Sequence, residues 1–394
     1  MIAQISRPVA GMGYHARHQS GAPKVFPPDK APSNDQGAMR STNHISPRIF
    51  ARAAMTPRGV LRLLGSLRTG ACALLLALGM LPAPAARAQD CGSADPIVIP
   101  THTWASQAVM SHVVGQLFEK IGCNVRYISE DSQAVYEAVR LGDAALQVEV
   151  WQGLSGAAFA AARAKGGIVE AGEHAAVGRE EWWYPAHVAR LCPGLPDWKA
   201  LEKCSEIFAR PDSGGKGVFV DGPPEWLHDY RRIEALEMNF TTVHTGGAAA
   251  LWEELETAVK NKTPIVMFNW SPNFTDALYR GRFVEFPAFH AKCRRDAKWG
   301  VNPKATHDCG NPPGVRLKKA AWAGMPKKWP AAHRMLTRVS FTARQIGVMA
   351  ALVDVHAMDP PRAAARWLAR NEKVWRPWMP KPPAPPAPPA PPAE

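Results

Sequence analysis

The sequence predicts a two-lobed α/β protein, and three observations carry that expectation. Strand and helix patterns alternate from Ile97 onward, a second series of the same kind begins near Gly217, and tryptophans recur where predicted strands end. Ile97 to Ile99 reads as a short strand. Val109, Val113, Val114, Leu117, Phe118 and Ile121 recur at three- and four-residue intervals and predict a helix. Val125 to Ile128 is a second strand, Ala134 to Leu141 a helix, and ALQVEVW from Ala145 to Trp151 a third strand. A βαβαβ start of this kind implies a mainly parallel sheet flanked by helices, because parallel neighbours need a crossover. The second series runs from the strand GVFV, 217–220, through helices from about Glu225 to Met238 and from Ala248 to Lys260, to the strand PIVMFNW, 264–270. Two such units predict two lobes, each a mainly parallel sheet. From Lys327 the pattern is helical, through Phe341 to Val355 and then DPPRAAARWLARNEKVW, where Asp359 is placed to cap a helix that opens on prolines.

Length and composition allow this and exclude other classes. The chain has 394 residues, 46% hydrophobic and 21% charged, which excludes a wholly disordered chain, and its 37 Pro and 31 Gly follow no collagen triplet. The net charge of +13 invites a nucleic-acid or membrane partner, but it sits at the front. Residues 1–88 hold eleven Arg and Lys against only Asp29 and Asp35, which leaves 36 basic and 32 acidic residues beyond them. No nucleic-acid partner is expected from a residual +4.

Met55 opens a basic stretch, followed by the apolar run Ala71–Leu81 and by LPAPAARA, with small residues at Ala86 and Ala88. This is the order of a secretory signal peptide, 55–88, with a run too short to span a bilayer and cleavage expected after Ala88. Residues 1–54 read as an extension upstream of a true start at Met55. The last segment, 380–394, is KPPAPPAPPAPPAE in substance and predicts an extended tail. Leaving out Cys72, six cysteines follow the export signal: Cys91, Cys123, Cys192, Cys204, Cys293 and Cys309. An even number in an oxidising compartment favours disulfides over metal ligation. Proximity suggests Cys91–Cys123, Cys192–Cys204 and Cys293–Cys309, with buried free thiols as the alternative.

The catalytic signatures are missing: there is no H-E-x-x-H, no G-x-S-x-G and no G-x-G-x-x-G after a strand. SGGKG at 213–217 lacks the spacing of a phosphate loop and reads as a turn. The histidines show no metal-ligand grouping, and no cofactor or metal is expected. Tryptophan is the unusual feature. All 14 lie after residue 100, and Trp104, Trp151, Trp226 and Trp270 each sit where a predicted strand ends and a loop or helix begins. In open α/β sheets the carboxyl ends of strands face the ligand crevice, so four indoles would converge there. A single Trp at a strand end is more often core, and Trp252, Trp367 and Trp375 fall on helical patterns that predict core. Trp183, in the extended segment EEWWYPAHV, could add one more face. Converging indoles suit a sugar or a quaternary ammonium, the latter held by cation–π attraction of about 1–2 kcal/mol per desolvated face. Glu149, two residues before Trp151 and on the same strand face, could complement a cation or bond a hydroxyl; its other reading is a solvated or salt-bridged acid.

The segments that bear these residues resemble a known family. GDAALQVEVWQG, WYPAHV, GPPEWLHDY, PIVMFNWSPNF and MDPPRAAARWLARNEKVW are similar to segments of periplasmic substrate-binding proteins of ABC transporters for glycine betaine, proline betaine and choline. The resemblance spans about 95–379. It implies the type II binding-protein fold, with lobe 1 from 95–187 and 284–379, lobe 2 from 188–283, and ligand in the cleft between them. It implies a periplasmic protein, a monomer, that captures a small quaternary ammonium ligand, delivers it to a permease in the inner membrane and serves osmoprotection or nutrition; it is no enzyme. The aromatic box it implies is Trp151, Trp226 and Trp270, with Trp104 a fourth wall and Trp183 a weaker one. Some members bind the betaine carboxylate with a His shortly after the aromatic that corresponds to Trp270; here Ser271, Pro272, Asn273 and Phe274 follow, which leaves choline or an N-oxide open beside glycine betaine. The alternative from another class is a secreted carbohydrate-active hydrolase that uses the tryptophans as sugar platforms.

Overall fold

A computed structural model describes residues 91–153, 156–226 and 231–380. The expected extension, the signal peptide with Cys72, and the tail beyond residue 380 lie outside the described residues. The first lobe opens with strand β1 (Ile97–Thr101), helix α1 (Ala105–Lys120), strand β2 (Val125–Ser129), helix α2 (Val135–Leu141), strand β3 (Leu146–Val150) and helix α3 (Gly156–Ala164). β1 and β2 pair in parallel from Ile97 opposite Val125 to Thr101 opposite Ser129. The Ala145 N–H donates to Val98 O at 2.8 Å and brings the start of β3 alongside β1. α1 buries Val109, Met110, Val113, Val114, Leu117 and Phe118. Its buried polar residues are also used: Gln107 Nε2 and Ser111 Oγ both donate to Pro100 O, at 3.0 and 2.8 Å.

Strand β4 (Ile168–Pro185) is the long element that the periodicity does not reveal. From Ile168 to Gly178 it pairs antiparallel with β9 (Val315–Trp322). From Arg179 to Trp183 it pairs antiparallel with β7 (Val266–Ser271), and from Trp183 to Pro185 with β8 (Gly281–Phe283). β4 therefore leaves the first lobe at Gly178 and enters the second at Arg179. In the second lobe, β5 (Gly217–Asp221) lies between β6 (Phe240–His244) and β7, parallel to both. The sheet runs β3-β9-β4-β7-β5-β6, so parallel strands of the second lobe meet antiparallel crossing strands at its inner edge.

The second lobe also holds helices α4 (Trp198–Lys203), α5 (Arg231–Ala235) and α6 (Ala248–Asn261). α6 turns Leu251, Trp252, Leu255 and Ala258 into the core. The helix expected from about Glu225 to Met238 is shorter: a 3-10 turn, Pro224–Trp226, precedes α5, and 227–230 lie outside the described residues. Helices α7 (Pro330–Arg338), α8 (Ala343–Asp354) and α9 (Pro360–Arg370) return to the first lobe, where α8 and α9 pack on α1. Asp359 caps α9 as expected, accepting from the Arg362 N–H at 2.8 Å.

Residues 179–187 and 284–313, assigned on the sequence to the first lobe, are fastened to the second. The Val284 N–H donates to Trp182 O, Phe286 packs edge-on against Trp182 at 5.5 Å, and Asn302 Nδ2 donates to Ala235 O at 2.7 Å. At the centre of this region is a buried ion pair. Arg232 Nη1 donates to Glu181 Oε1 at 2.5 Å, Nη2 to Asn311 Oδ1 at 2.8 Å and Nε to Cys309 O at 3.0 Å, while the Asn311 N–H donates to Glu181 Oε2 at 2.8 Å. The disulfides pair as proximity suggested: Cys91–Cys123, Cys192–Cys204 and Cys293–Cys309. Among the described residues no helix is long and apolar enough to cross a membrane.

Glu181→Ala leaves Arg232 buried without its counter-charge, a loss that costs ~3–5 kcal/mol in such sites. Urea unfolding should show a destabilisation of that order, while Glu285→Ala, which breaks a surface pair with Arg282, should leave the midpoint almost unmoved.

Candidate functional site

The site begins at the turn from β1 into α1. Trp104 is the residue before the first turn of α1, in extended conformation, and its indole reaches back across the sheet end. Ser106 lies in that first turn. Glu149 lies near the end of β3, and Trp151 follows two residues later on the same face, as strand alternation requires. These four side chains share one set of hydrogen bonds. Ser106 Oγ donates to Glu149, 3.1 Å from each carboxyl oxygen; Trp151 Nε1 donates to Oε1 at 3.0 Å and Trp104 Nε1 to Oε2 at 3.4 Å.

Glu149 is only 1% exposed and, among the described residues, has no cationic partner. It is therefore neither a solvated nor a salt-bridged acid. Burial pushes its carboxyl up from 4.5 to about 7, against the opposing effect of the three donors. Desolvation penalises the charged form more than these bonds restore it.

His102 supports Trp104 from behind. The two rings stack at 4.6 Å and 16°. His102 Nδ1 is 2.7 Å from Glu130 O, so Nδ1 carries the proton, and Nε2 accepts from Gln147 Nε2. Burial lowers the imidazole to about 4, and the ring stays neutral at ordinary pH.

The second lobe contributes Trp226 and Trp270. Trp226 lies in the 3-10 turn after β5, with its ring against Gly222, where any Cβ would collide with it. Trp226 meets Trp104 of the first lobe edge to face at 6.0 Å, Trp270 at 5.5 Å and Phe268 at 5.9 Å. Trp270 is backed by Trp252 at 5.0 Å, so the helical Trp read as core supports the cluster from beneath. Trp151 packs on Gly178, the residue at which β4 changes lobes; a Cβ at that glycine would stand 2.6 Å from the indole.

Trp104, Trp226 and Trp270 are thus in mutual ring contact along a chain, and Trp151 joins them through Glu149. Trp183 is not brought to this group. It pairs with Met267 and Phe283 and packs over Gly281, on the face of β4 opposite to Trp182, Phe268 and Trp270. Trp182 itself stacks on Phe219 at 3.9 Å within the lobe core. The sequence pointed to the tryptophans and Glu149 but not to His102, Ser106, Phe268 or Gly178. A polar residue two positions after Trp104, at the start of a helix, was the available signal for Ser106. Beyond Trp270, Asn273 is buried and turned inward, donating to Asn269 Oδ1 at 3.1 Å and accepting from the Thr275 N–H at 2.7 Å. No group of metal-ligating side chains occurs among the described residues.

Comparison with known proteins adds four findings. Residues 95–370 match the family described as the substrate binding domain of ABC-type glycine betaine transport systems. The chain is 47% identical over 293 residues to a trimethylamine N-oxide-binding protein of Pelagibacter ubique (strain HTCC1062), a match that covers 72% of this chain and 91% of that one. Its fold is similar to that of lactococcal OpuAC in a closed form with glycine betaine (TM-score 0.53, 14% identity, covering 72% of this chain and all of that one). It is also similar to a glycine betaine/proline-binding protein of Borrelia burgdorferi (TM-score 0.57, 13% identity, covering 73% and 97%).

Glu149 titrates at about 7 in the fold and near 4.5 when exposed, so between those values the folded chain keeps a proton that the unfolded chain has released. Its contribution to stability is full below about 4.5 and is lost as pH rises to about 7, a change of ~3 kcal/mol. The unfolding free energy of wild type minus that of Glu149→Gln, followed by urea titration, should fall by that order across the window and level off above it. Parallel pH profiles would refute the burial-driven shift.

Proposed function

The chain belongs to the family of substrate-binding domains of ABC-type glycine betaine transport systems, and from that premise we propose that it captures trimethylamine N-oxide in the Trp cluster and presents it to a membrane permease. A transport binding protein of this family has no turnover to perform, so the alternative of a sugar hydrolase is set aside. The coarse assignment is to a small methylated amine. The finer one rests on a single observation: a buried carboxyl, without a cation and poised near neutrality, stands among indole rings.

Trimethylamine N-oxide presents two ends. Its methylated nitrogen carries positive charge that spreads over the methyl groups and suits the negative faces of Trp104, Trp226 and Trp270. Its oxygen accepts hydrogen bonds and donates none. A carboxyl kept neutral by an apolar setting is a donor suited to such an oxygen. Glu149 in its protonated form supplies that donor, while its remaining lone pairs continue to accept from Ser106 and Trp151. Glycine betaine fits less well, since its carboxylate brings a full negative charge that only protonated Glu149 could accept, while the turn after Trp270 spends its polar groups on itself. Choline offers a hydroxyl that would donate to ionised Glu149. The name of the 47%-identical relative supports the N-oxide among these.

The two ligands differ in the proton that accompanies them. Binding the N-oxide to protonated Glu149 takes up a proton, so affinity should rise as pH falls from about 8 to about 6. Choline binding to the carboxylate should weaken over the same range. Calorimetric titration with trimethylamine N-oxide, choline and glycine betaine at both ends of the range tests this, and the reading fails if choline binds more tightly than the N-oxide at each pH. Trp270→Ala and Trp151→Ala should each weaken binding at least about tenfold, near the energy of one desolvated aromatic face, without a change in unfolding midpoint large enough to account for it.

A further inference from the structure

The disulfide-closed loop of the second lobe carries a surface that ligand capture does not use. Cys293–Cys309 closes its base, together with the His307 N–H donating to Cys293 O at 2.9 Å. Its tip is held by Asp308, a buried carboxylate that accepts from the Val301 and Asn302 N–H groups. On this firm support the exposed side chains are unusual. Trp299 is 45% and Val301 59% exposed, although large apolar groups are normally covered. Around them stand the exposed cations Lys292, Arg295, Lys298 and Lys304, none of which has an ion-pair partner among the described residues. The loop's own exposed acid, Asp296, caps the next turn by accepting from the Lys298 N–H at 3.1 Å, and the exposed Glu234 and Glu237 flank Ala235, whose carbonyl accepts from Asn302 of the loop. Trp299 is kept in place by His290, stacked at 4.1 Å, and by Lys292, whose ammonium lies 4.5 Å from the ring centre.

A tryptophan, an aliphatic tip and four unpaired cations on a rigid loop match the two requirements of an anionic bilayer surface. Indoles favour the boundary between headgroups and acyl chains, and Lys and Arg are drawn to a negative leaflet. We infer that this loop, residues 290–308, is a weak docking surface for anionic phospholipid headgroups, which holds the protein close to the membrane that contains its permease. An acidic protein face could attract the same cations, but it offers no reason for an apolar pair at the tip beside them. The inference rests on the family's extracytoplasmic setting and is independent of which amine is bound.

The test is co-sedimentation of protein recovered from the periplasm with two kinds of vesicle: phosphatidylcholine alone, and phosphatidylcholine with about one-third phosphatidylglycerol. Wild type should pellet with the anionic vesicles and not with the neutral ones, and should be released in ~1 M salt, where screening acts within ~3 Å. The variant K292E/R295E/K298E/K304E should lose at least about tenfold in partitioning, and Trp299→Ala should lose two- to threefold, as expected of one interfacial ring. The milder K298Q/K304Q, confined to exposed positions, covers the case in which the fourfold variant fails to fold, and should itself show a clear loss. Equal binding to both vesicles, no binding to either, or unchanged binding by the charge variants would overturn the inference. Retention by solubilised permease without any vesicle binding would also overturn it, and would give the loop a protein partner instead. Ligand affinity measured on the same samples separates this result from the assignment of the amine.

Discussion

The aromatic site depends on one carboxylate removed from water without a cation to balance it. Such a group must be hydrogen-bonded or protonated, because an isolated buried charge is far too costly to keep. Glu149 meets the requirement with one hydroxyl and two indole N–H groups. An indole has a single donor, fixed in the plane of the ring at one edge. Satisfying Glu149 therefore sets the rotation of Trp104 and Trp151, and with it the direction of their faces. The acid organises the rings, and the rings keep the acid dry. His102 extends the same logic outward: with one nitrogen donating and the other accepting, it stays neutral and gives Trp104 a flat support without introducing a second charge.

The crossing strands explain how two lobes contribute to one cluster. β4 hands its ladder from β9 to β7 between Gly178 and Arg179. Just there, Gly178 lets the Trp151 ring lie on the backbone, so the aromatic site sits against the connection between the lobes. The Trp104–Trp226 contact joins rings from opposite sides, and edge-to-face pairs of this kind contribute about 0.5–1.5 kcal/mol beyond the area they bury. That is enough to bias lobe closure but too little to lock it. A ligand that contacts rings from both lobes adds its own differential affinity for the closed arrangement, which is the condition for a binding protein to signal occupancy by shape.

Much of the fold was legible because it follows local periodicity. β1, α1, β2, β3, β5, α6 and β7 all appear where apolar spacing put them, and Asp359 caps α9 where a proline-led helix needs a cap. The disulfides were legible because each closes a short loop. β4 was not: its first half, with Glu170, Gly172, Glu173 and Gly178, has little intrinsic strand preference and is extended because β9 pairs with it, aided by Lys318 beside Glu170 at 3.2 Å. The attachment of 284–313 was hidden for a related reason, since the Arg232–Glu181–Asn311 bonds join residues far apart in sequence. At the site, strand-end tryptophans could be read, but strand parity could not. Trp182 and Trp183 are adjacent, and only the ladder with Phe268 and Met267 decides which of them shares a face with Trp270. Ser106 and His102 acquire meaning only from Glu149 and Gln147, more than forty residues away.

Charge has to be read by location, not by total. The chain's +13 is carried mainly by its first 88 residues, and the balance beyond them is 36 against 32. That remainder is not evenly spread. Two of the basic residues, Lys319 and Arg232, are buried: Arg232 is neutralised by Glu181, and burial holds Lys319 down to about 8. Some acids and bases elsewhere pair across strands and along helices, as Glu170 does with Arg163 and Lys318. The loop 290–308 concentrates four exposed cations around the one exposed acid of its own sequence. A nearly neutral protein can therefore present a strongly positive local field, and a local field of a few charges acts only within about a Debye length, ~8–10 Å at ordinary salt. Such a field cannot steer from afar, and it matters only where the loop already touches a surface.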